Sequence, residues 1–451
     1  MYESKGGQRV SEFSREMTNE VDRRMALARE WDELVEQVRK LDGFEDFLRS
    51  PTLRTLLPAA VGGPIAIVNV SRWRCDALVV TTDGVRPREL PELTLQTAVE
   101  RANTYLHTLQ DAEQAAVAHD AALAAAQDAP SPATIREQVR AAQVVLDAAA
   151  RTDAMLRETQ EWMWDTIAST VLDELGLTDV PPSDGPWPRM WWCPTGPLTL
   201  LPLHTAGYHA ATDVGTPRTV IDRVVSSYTP TVRALLEART ERPDGNADSG
   251  EGVDRDRMLL VTVKDVPGQP TLHAVDHERA VLQALMAPER CTPLEGPAAT
   301  RDAVDRELPA HRWVHFSCHG DQNLAEPSLG GLLLHGSMLT VADITAREFH
   351  GDFAGLSACK TAVGGVDLLD EAITLAAALH YTGYRHVVAS LWSVESTTSA
   401  EVFEALYGDL IQHGRLDSDN AALALHRAVR TIRGKSPDEP RLWTPFTHTG
   451  P

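Results

Sequence analysis

Two stretches of this chain end in side chains able to act on one another. Trp313-Val-His-Phe-Ser-Cys-His319 closes on an imidazole followed by Gly320, and Phe353-Ala-Gly-Leu-Ser-Ala-Cys359 closes on a thiol followed by Lys360-Thr-Ala-Val-Gly-Gly365. Both read as short apolar strands, and in an open α/β sheet function gathers at the carboxyl ends of strands. With a period of two, Val314, Phe316 and Cys318 share one face, and His315, Ser317 and His319 share the other. A thiol and an imidazole at neighbouring strand ends make a nucleophile and its base. The imidazole takes the thiol proton and the thiolate attacks. The oxyanion that follows needs N–H donors, which the backbone amides of Gly320 and Cys359 are placed to supply. Glycine at 320 permits the close approach.

Blander chemistry competes with this. A cysteine in a buried strand is most often a small apolar filler. His315, Cys318, His319 and Cys359 could be read as zinc ligands, but Cys318 faces away from both histidines and no CxxC pair exists. Gly-x-Ser-x-Gly does not occur, so a serine triad has no nucleophile elbow.

The elements that must hold these residues are legible in the pattern. Residues 14–43 carry Val21, Met25, Ala28, Trp31, Leu34, Val35 and Val38 at helical steps. Two β-branched runs, 65–70 and 76–82, precede an Asp83-Gly84 turn. Residues 94–177 predict two long antiparallel helices and a third, with Thr134 and Glu137 as a capping box and a Trp162/Trp164 stripe that belongs to a core. From 187 strands and helices alternate. Short strands are expected at 190–193 and 198–202, a strand and a helix across 220–238, and an acidic surface loop at 241–257. Strands at 258–263, 312–318, 353–358 and 386–391 follow, with helices at 275–286, 299–307, 368–382, 397–413 and 419–433. All-apolar strands between helices predict an α/β fold whose mostly parallel sheet has helices on both faces. The expected division is 1–50, an N-terminal helix; 51–185, strands plus a long helical hairpin; and 186–451, the core that carries the chemistry.

Composition narrows the function. The chain has 451 residues, and Asp plus Glu number 64 against 42 Lys plus Arg, a net charge of −22. Such a surface repels phosphate backbones, which argues against direct nucleic-acid binding. No apolar run is long enough to span a membrane, and residues 1–9 show no secretory apolar segment. Five scattered cysteines do not make a disulfide framework, which suits a reducing cytoplasm.

Four motifs in order resemble a known family: His315-Phe-Ser-Cys-His319-Gly320, Pro327-Ser-Leu-Gly-Gly-Leu-Leu-Leu334, Leu356-Ser-Ala-Cys359-Lys-Thr-Ala362 and Val387-Val-Ala-Ser-Leu-Trp392-Ser-Val. They are similar to those of the CHAT domain, the caspase-like domain associated with tetratricopeptide repeats, as are Cys193-Pro-Thr-Gly-Pro-Leu-Thr-Leu-Leu-Pro-Leu203 and Trp443-Thr-Pro-Phe446. The resemblance covers roughly 55–451. It implies a cysteine endopeptidase of the caspase, separase and gingipain clan, with His319 as general base and Cys359 as nucleophile, no metal and no cofactor. A histidine tens of residues before a nucleophilic cysteine is also the caspase order. Relatives hold the residue before the cleaved bond in a deep pocket, often acidic when that residue is basic. Asp321, Asp367 and Asp370 are the candidates here. Family members often carry an acidic residue after the nucleophile, where this chain has Lys360. The resemblance further implies a protein substrate and restraint by a protein partner or an upstream repeat module, with the 94–177 helices as a contact surface. A catalytically silent signalling or scaffold module and a thiol hydrolase of small molecules remain the alternatives.

Overall fold

The computed structural model describes residues 23, 25–41, 44, 47–182, 185–209, 217–240, 256–267, 269, 271–321, 323, 326–358, 374–392, 394 and 396–451. The chain divides into two compact units, 1–56 and 57–451. In the first, the described residues 23 and 25–38 are helical. Met25, Trp31 and Leu34 are exposed there while Val35 is buried.

The second unit is built on one large sheet. Its leading strands are β1 (Ile65–Asn69), β2 (Asp76–Thr81) and β3 (Gly84–Glu89), followed by β4 (Arg189–Pro194) and β5 (Val225–Tyr228). Next come β6 (Met258–Thr262), β7 (Cys291–Glu295) and β8 (Trp313–Ser317). Beyond them lie β9 (His319–Asp321), β10 (Gly331–Leu334), β11 (Ser337–Thr340), β12 (Phe353–Ser357) and β13 (His386–Ser390). The chain ends with β14 (Ile411–Gln412), β15 (Arg415–Leu416) and β16 (Phe446–Thr449). Eleven strands form one sheet in the order β3-β2-β1-β4-β5-β16-β13-β12-β8-β6-β7. Six of its ten pairings, β1–β4, β4–β5, β13–β12, β12–β8, β8–β6 and β6–β7, are parallel along their registers, and β5–β16 is parallel through Thr449 and Tyr228.

Helices cover both faces, as the uninterrupted apolar strands require. Alternate residues of β6 part company: Leu259 and Val261 join Val314, Phe316, Ala354 and Leu356 in one core, and Met258 and Leu260 join Trp313 and Phe353 in another. Before the core, α1 (Leu95–Asp128) and α2 (Pro132–Met163) form the long hairpin. After β6 comes α3 (Val275–Leu285); further on lie α4 (Leu375–Tyr381), α5 (Ser396–Leu410) and α6 (Ala421–Lys435). α4 seals the first core, while α3, α5 and α6 seal the second.

Several boundaries differ from the pattern reading. The cap of α2 is Ser131, whose hydroxyl accepts from the Thr134 amide while Thr134 bonds back, so the box lies three residues earlier than Thr134/Glu137. Residues 198–202 are not a strand. Gly196, at φ 56, starts the 3-10 turn Gly196–Leu200, whose side chains pack under the hairpin. The expected third helix is a π turn, Trp164–Ala168, leading into Ser169–Glu174. β8 ends at Ser317, so His319 does not close that strand but opens β9. Residues 319–321 pair antiparallel with Gly331–Leu333, building a separate three-stranded sheet. The 241–257 loop lies outside the described residues except 256 and 257.

Candidate functional site

Ser317 and Ser357, the last residues of β8 and β12, are register partners on adjacent parallel strands. His319 and Cys359 each follow two residues later. His319 is 8% exposed and sits opposite Leu333 of β10; Gly320 sits opposite Leu332. Cys359 lies outside the described residues, as do Asp367 and Asp370. The residue before it, Ala358, is buried, and its carbonyl accepts from the Ser390 hydroxyl at 2.9 Å. The chain is therefore held by its neighbour β13 up to the residue that precedes the thiol. Asp321 is described and exposed.

Beneath the two strand ends lies a carboxylate that the pattern reading missed. Glu278, on α3, is 5% exposed. Its Oε1 accepts from Ser357 Oγ at 2.6 Å, and its Oε2 accepts from Ser317 Oγ and, at 3.3 Å, from His315 Nε2. Behind His315, Tyr407 Oη stands 2.8 Å from Nδ1, and Ser399 Oγ stands 2.9 Å from Ser357 Oγ. One carboxylate thus joins α3 to β8 and β12, and through its partners to α5. Burial, then the Glu278 charge, raises Tyr407 well above its usual value, so its hydroxyl keeps its proton. The His315 ring is thus bracketed, with the Tyr407 hydroxyl at Nδ1 and the Glu278 carboxylate at Nε2. Gly355 makes room for this arrangement: a Cβ there would lie 2.4 Å from Tyr407 Oη.

A small open pocket adjoins the carboxylate. Leu272, Ala274, Val275 and Val394 give apolar wall, Glu278, Ser317, Ser357, Ser390 and Ser399 give polar wall, and Cys318 and Ala358 complete the lining. Asp321 is not among the lining residues. Cys318, 1% exposed, packs into the core with Val314 and Phe316, while His315 stacks edge-on against Phe403 and Tyr407 of α5. The two faces of β8 are thus divided as period-two alternation requires. Among the described residues no group of three or more His, Cys, Asp or Glu is arranged to hold a metal, and Cys75, Cys193, Cys291 and Cys318 form no disulfide with one another.

A family model described as the CHAT domain matches residues 157–451. The chain belongs to the CHAT domain family. No curated protein sequence matches it. Among solved structures, this CHAT chain is similar to Saccharomyces cerevisiae separase in its complex with securin, at TM-score 0.57 and 9% identity over 92% of this chain and 32% of that one. It thus spans about a third of the length of that separase chain. The Arg-specific cysteine proteinase gingipain R aligns at TM-score 0.39 and 10% identity, over 66% of this chain and 74% of its own. The separase likeness is one of fold, and the CHAT chain has the caspase-like arrangement of a mostly parallel sheet between helical layers.

Glu278 left one signal in the sequence. Val275, Glu278 and Leu282 lie at three- and four-residue steps on the buried stripe of α3, and a carboxylate on that stripe has to be bonded or functional.

Proposed function

We propose that this CHAT protein is a cysteine endopeptidase in which Cys359 is the nucleophile and His319 the general base. The observation that supports it is the pairing of Ser317 with Ser357 at the ends of adjacent parallel strands, two residues before His319 and Cys359 in the sequence. In this reaction His319 takes the Cys359 proton, and the thiolate forms a bond to the scissile carbonyl carbon. The carbonyl oxygen becomes an oxyanion held by the Gly320 and Cys359 amides. When the C–N bond breaks, the imidazolium gives its proton to the leaving amine, and a thioester remains. Water, losing its proton to His319, hydrolyses the thioester and restores the thiol.

The proposed substrate is a protein, the proposed setting is the cytoplasm, and neither metal nor cofactor takes part. A protein partner or an upstream repeat module restrains the enzyme, with the α1–α2 hairpin as the contact surface. Support comes from Val117, Ile135, Val139, Val144 and Leu146, which are exposed on that hairpin, and from the separase structure, in which securin is bound. Sequencing the new protein N-termini formed in a denatured extract tests the activity. Wild type should generate a recurrent set that Cys359→Ala and His319→Ala both lack. Identical sets from all three proteins would refute it and favour a silent scaffold.

A further inference from the structure

The backbone ladder between β8 and β12 closes on one pair, Ser317 and Ser357. Register partners on parallel strands turn their side chains to the same face. Here both hydroxyls reach a single carboxylate: Glu278 Oε1 accepts from Ser357 Oγ at 2.6 Å, and Oε2 accepts from Ser317 Oγ. One side chain therefore ties the two strand ends together at the level where the ladder stops. His319 and Cys359 follow two residues later in the sequence.

Each end is also held from its outer side. The Ser317 carbonyl accepts from the Val263 amide at 3.0 Å, just past β6, and the Ala358 carbonyl accepts from Ser390 Oγ of β13. Those bonds fix β8 and β12 to their outer neighbours, while the Glu278 bridge fixes them to each other. The bridge itself is anchored. Glu278 stands on the buried stripe of α3 with Val275 and Leu282, its Oε2 lies 3.3 Å from His315 Nε2, and Ser399 of α5 stands 2.9 Å from Ser357 Oγ. A satisfied polar network of this kind makes a stiff link.

Stability alone does not account for a carboxylate at this place. An apolar residue would continue the α3 stripe without the desolvation that a buried carboxylate carries. Accuracy accounts for it better. A base and a nucleophile must meet within hydrogen-bond reach, and a misplacement of about 1 Å can cost about 100-fold in rate.

We infer that Glu278 is a positioning residue: by bridging Ser317 and Ser357 it sets the separation of the strand ends that lead to His319 and Cys359, and so how well the imidazole draws the thiol proton. This rests on the peptidase reading and adds to it a residue that acts on the dyad through two serines.

Labelling of Cys359 in the full chain by a peptidyl acyloxymethyl ketone tests the inference, with kinact and KI measured separately across the pH range. Wild-type kinact should reach its plateau well below about 8.5, where an ordinary thiol ionises. Glu278→Gln keeps the length of the side chain but sets an NH2 group against one of the serines, which breaks the bridge. Its kinact at neutral pH should fall by about 10- to 100-fold with KI unchanged, and the rise of its pH profile should move up toward about 8.5. Ser317→Ala and Ser357→Ala should each reproduce part of the loss. Adding either to Glu278→Gln should take away little more, because members of one bridge are not additive. Asp222→Ala, which weakens the chain elsewhere, should keep the wild-type profile.

A Glu278→Gln protein whose folded fraction labels with wild-type kinact and pH profile would overturn the inference, and so would a loss confined to KI. If Glu278→Gln does not fold, the two serine variants decide by the same criteria. Absence of Cys359 labelling in wild type would remove the peptidase reading and this inference with it, whereas wild-type labelling that Glu278→Gln leaves untouched removes the inference alone.

Discussion

Acid should weaken this fold through histidines that the core keeps neutral. Burial pushes His204 down to about 4, with Nδ1 3.0 Å from Tyr228 Oη. Burial likewise pushes His209 down to about 4, although its Nε2 lies 2.8 Å from the Thr205 carbonyl. His426, stacked on Trp187 at 4.7 Å, is pushed down to about 3 by burial and then by Arg430. An exposed imidazole titrates near 6.5, so between that value and the folded ones the unfolded chain binds the extra protons. The stabilisation is complete above about 6.5 and is lost as the pH falls. At pH 5 each histidine has cost about 2 kcal/mol, from 1.5 pH units at roughly 1.36 kcal/mol each. Three of them cost about 6 kcal/mol, comparable with the whole stability of many domains. His386 and His448, 3.1 Å apart through Nδ1 and Nε2, are both shifted down by burial and add to the loss. Urea unfolding from about pH 7.5 to pH 5 at constant ionic strength measures it, with His426→Leu alongside; the variant should lose about 2 kcal/mol less than wild type over that range. A total wild-type loss below about 2 kcal/mol would refute the reasoning.

Gly355→Ala places a Cβ 2.4 Å from Tyr407 Oη and 3.1 Å from His315 Nδ1. It should cost about 1–3 kcal/mol in thermal or chemical unfolding, and a neutral result would mean the Tyr407–His315 contact is looser than drawn. Asp222 accepts from both guanidinium nitrogens of Arg433, at 2.9 and 2.6 Å, and from the Thr219 hydroxyl. Asp222→Ala leaves that half-buried guanidinium unpaired and should cost about 3–5 kcal/mol by denaturant midpoint. Cleavage of protein substrate should be unchanged by EDTA and abolished by iodoacetamide, and loss to EDTA that zinc restores would contradict thiolate chemistry.

The sheet was legible where physics leaves a strong trace. Met258-Leu-Leu-Val-Thr and His386-Val-Val-Ala-Ser are buried on both faces, and such strands must be continuous apolar runs. β7, Cys291-Thr-Pro-Leu-Glu, left no such trace because it lies at the sheet edge, half-buried and carrying a proline. β9 is three residues long, and the antiparallel partner that defines it lies some ten residues further on, so His319 was read as the tail of β8. Leu198-Thr-Leu-Leu has strand composition, but the Gly-Pro before it and Pro202 after it close it into a turn. Within the site, the face of Ser317 follows from alternation, whereas Glu278 stands among Asp276, His277 and Arg279 and looks like one more polar residue on a helix. Only its place on the apolar stripe of α3 set it apart.

The peptidase proposal is tested most directly at the sulfur of Cys359. A peptidyl acyloxymethyl ketone, which alkylates an activated thiolate positioned by substrate-like binding, should add one inhibitor mass per chain, and peptide mapping should place it on Cys359 rather than on Cys75, Cys193, Cys291 or Cys318. Labelling should disappear in Cys359→Ala and fall by at least about 100-fold in His319→Ala, where no base draws off the thiol proton. Labelling of Cys359 that proceeds at the same rate without His319, or labelling spread over the other cysteines, would contradict a His319–Cys359 peptidase.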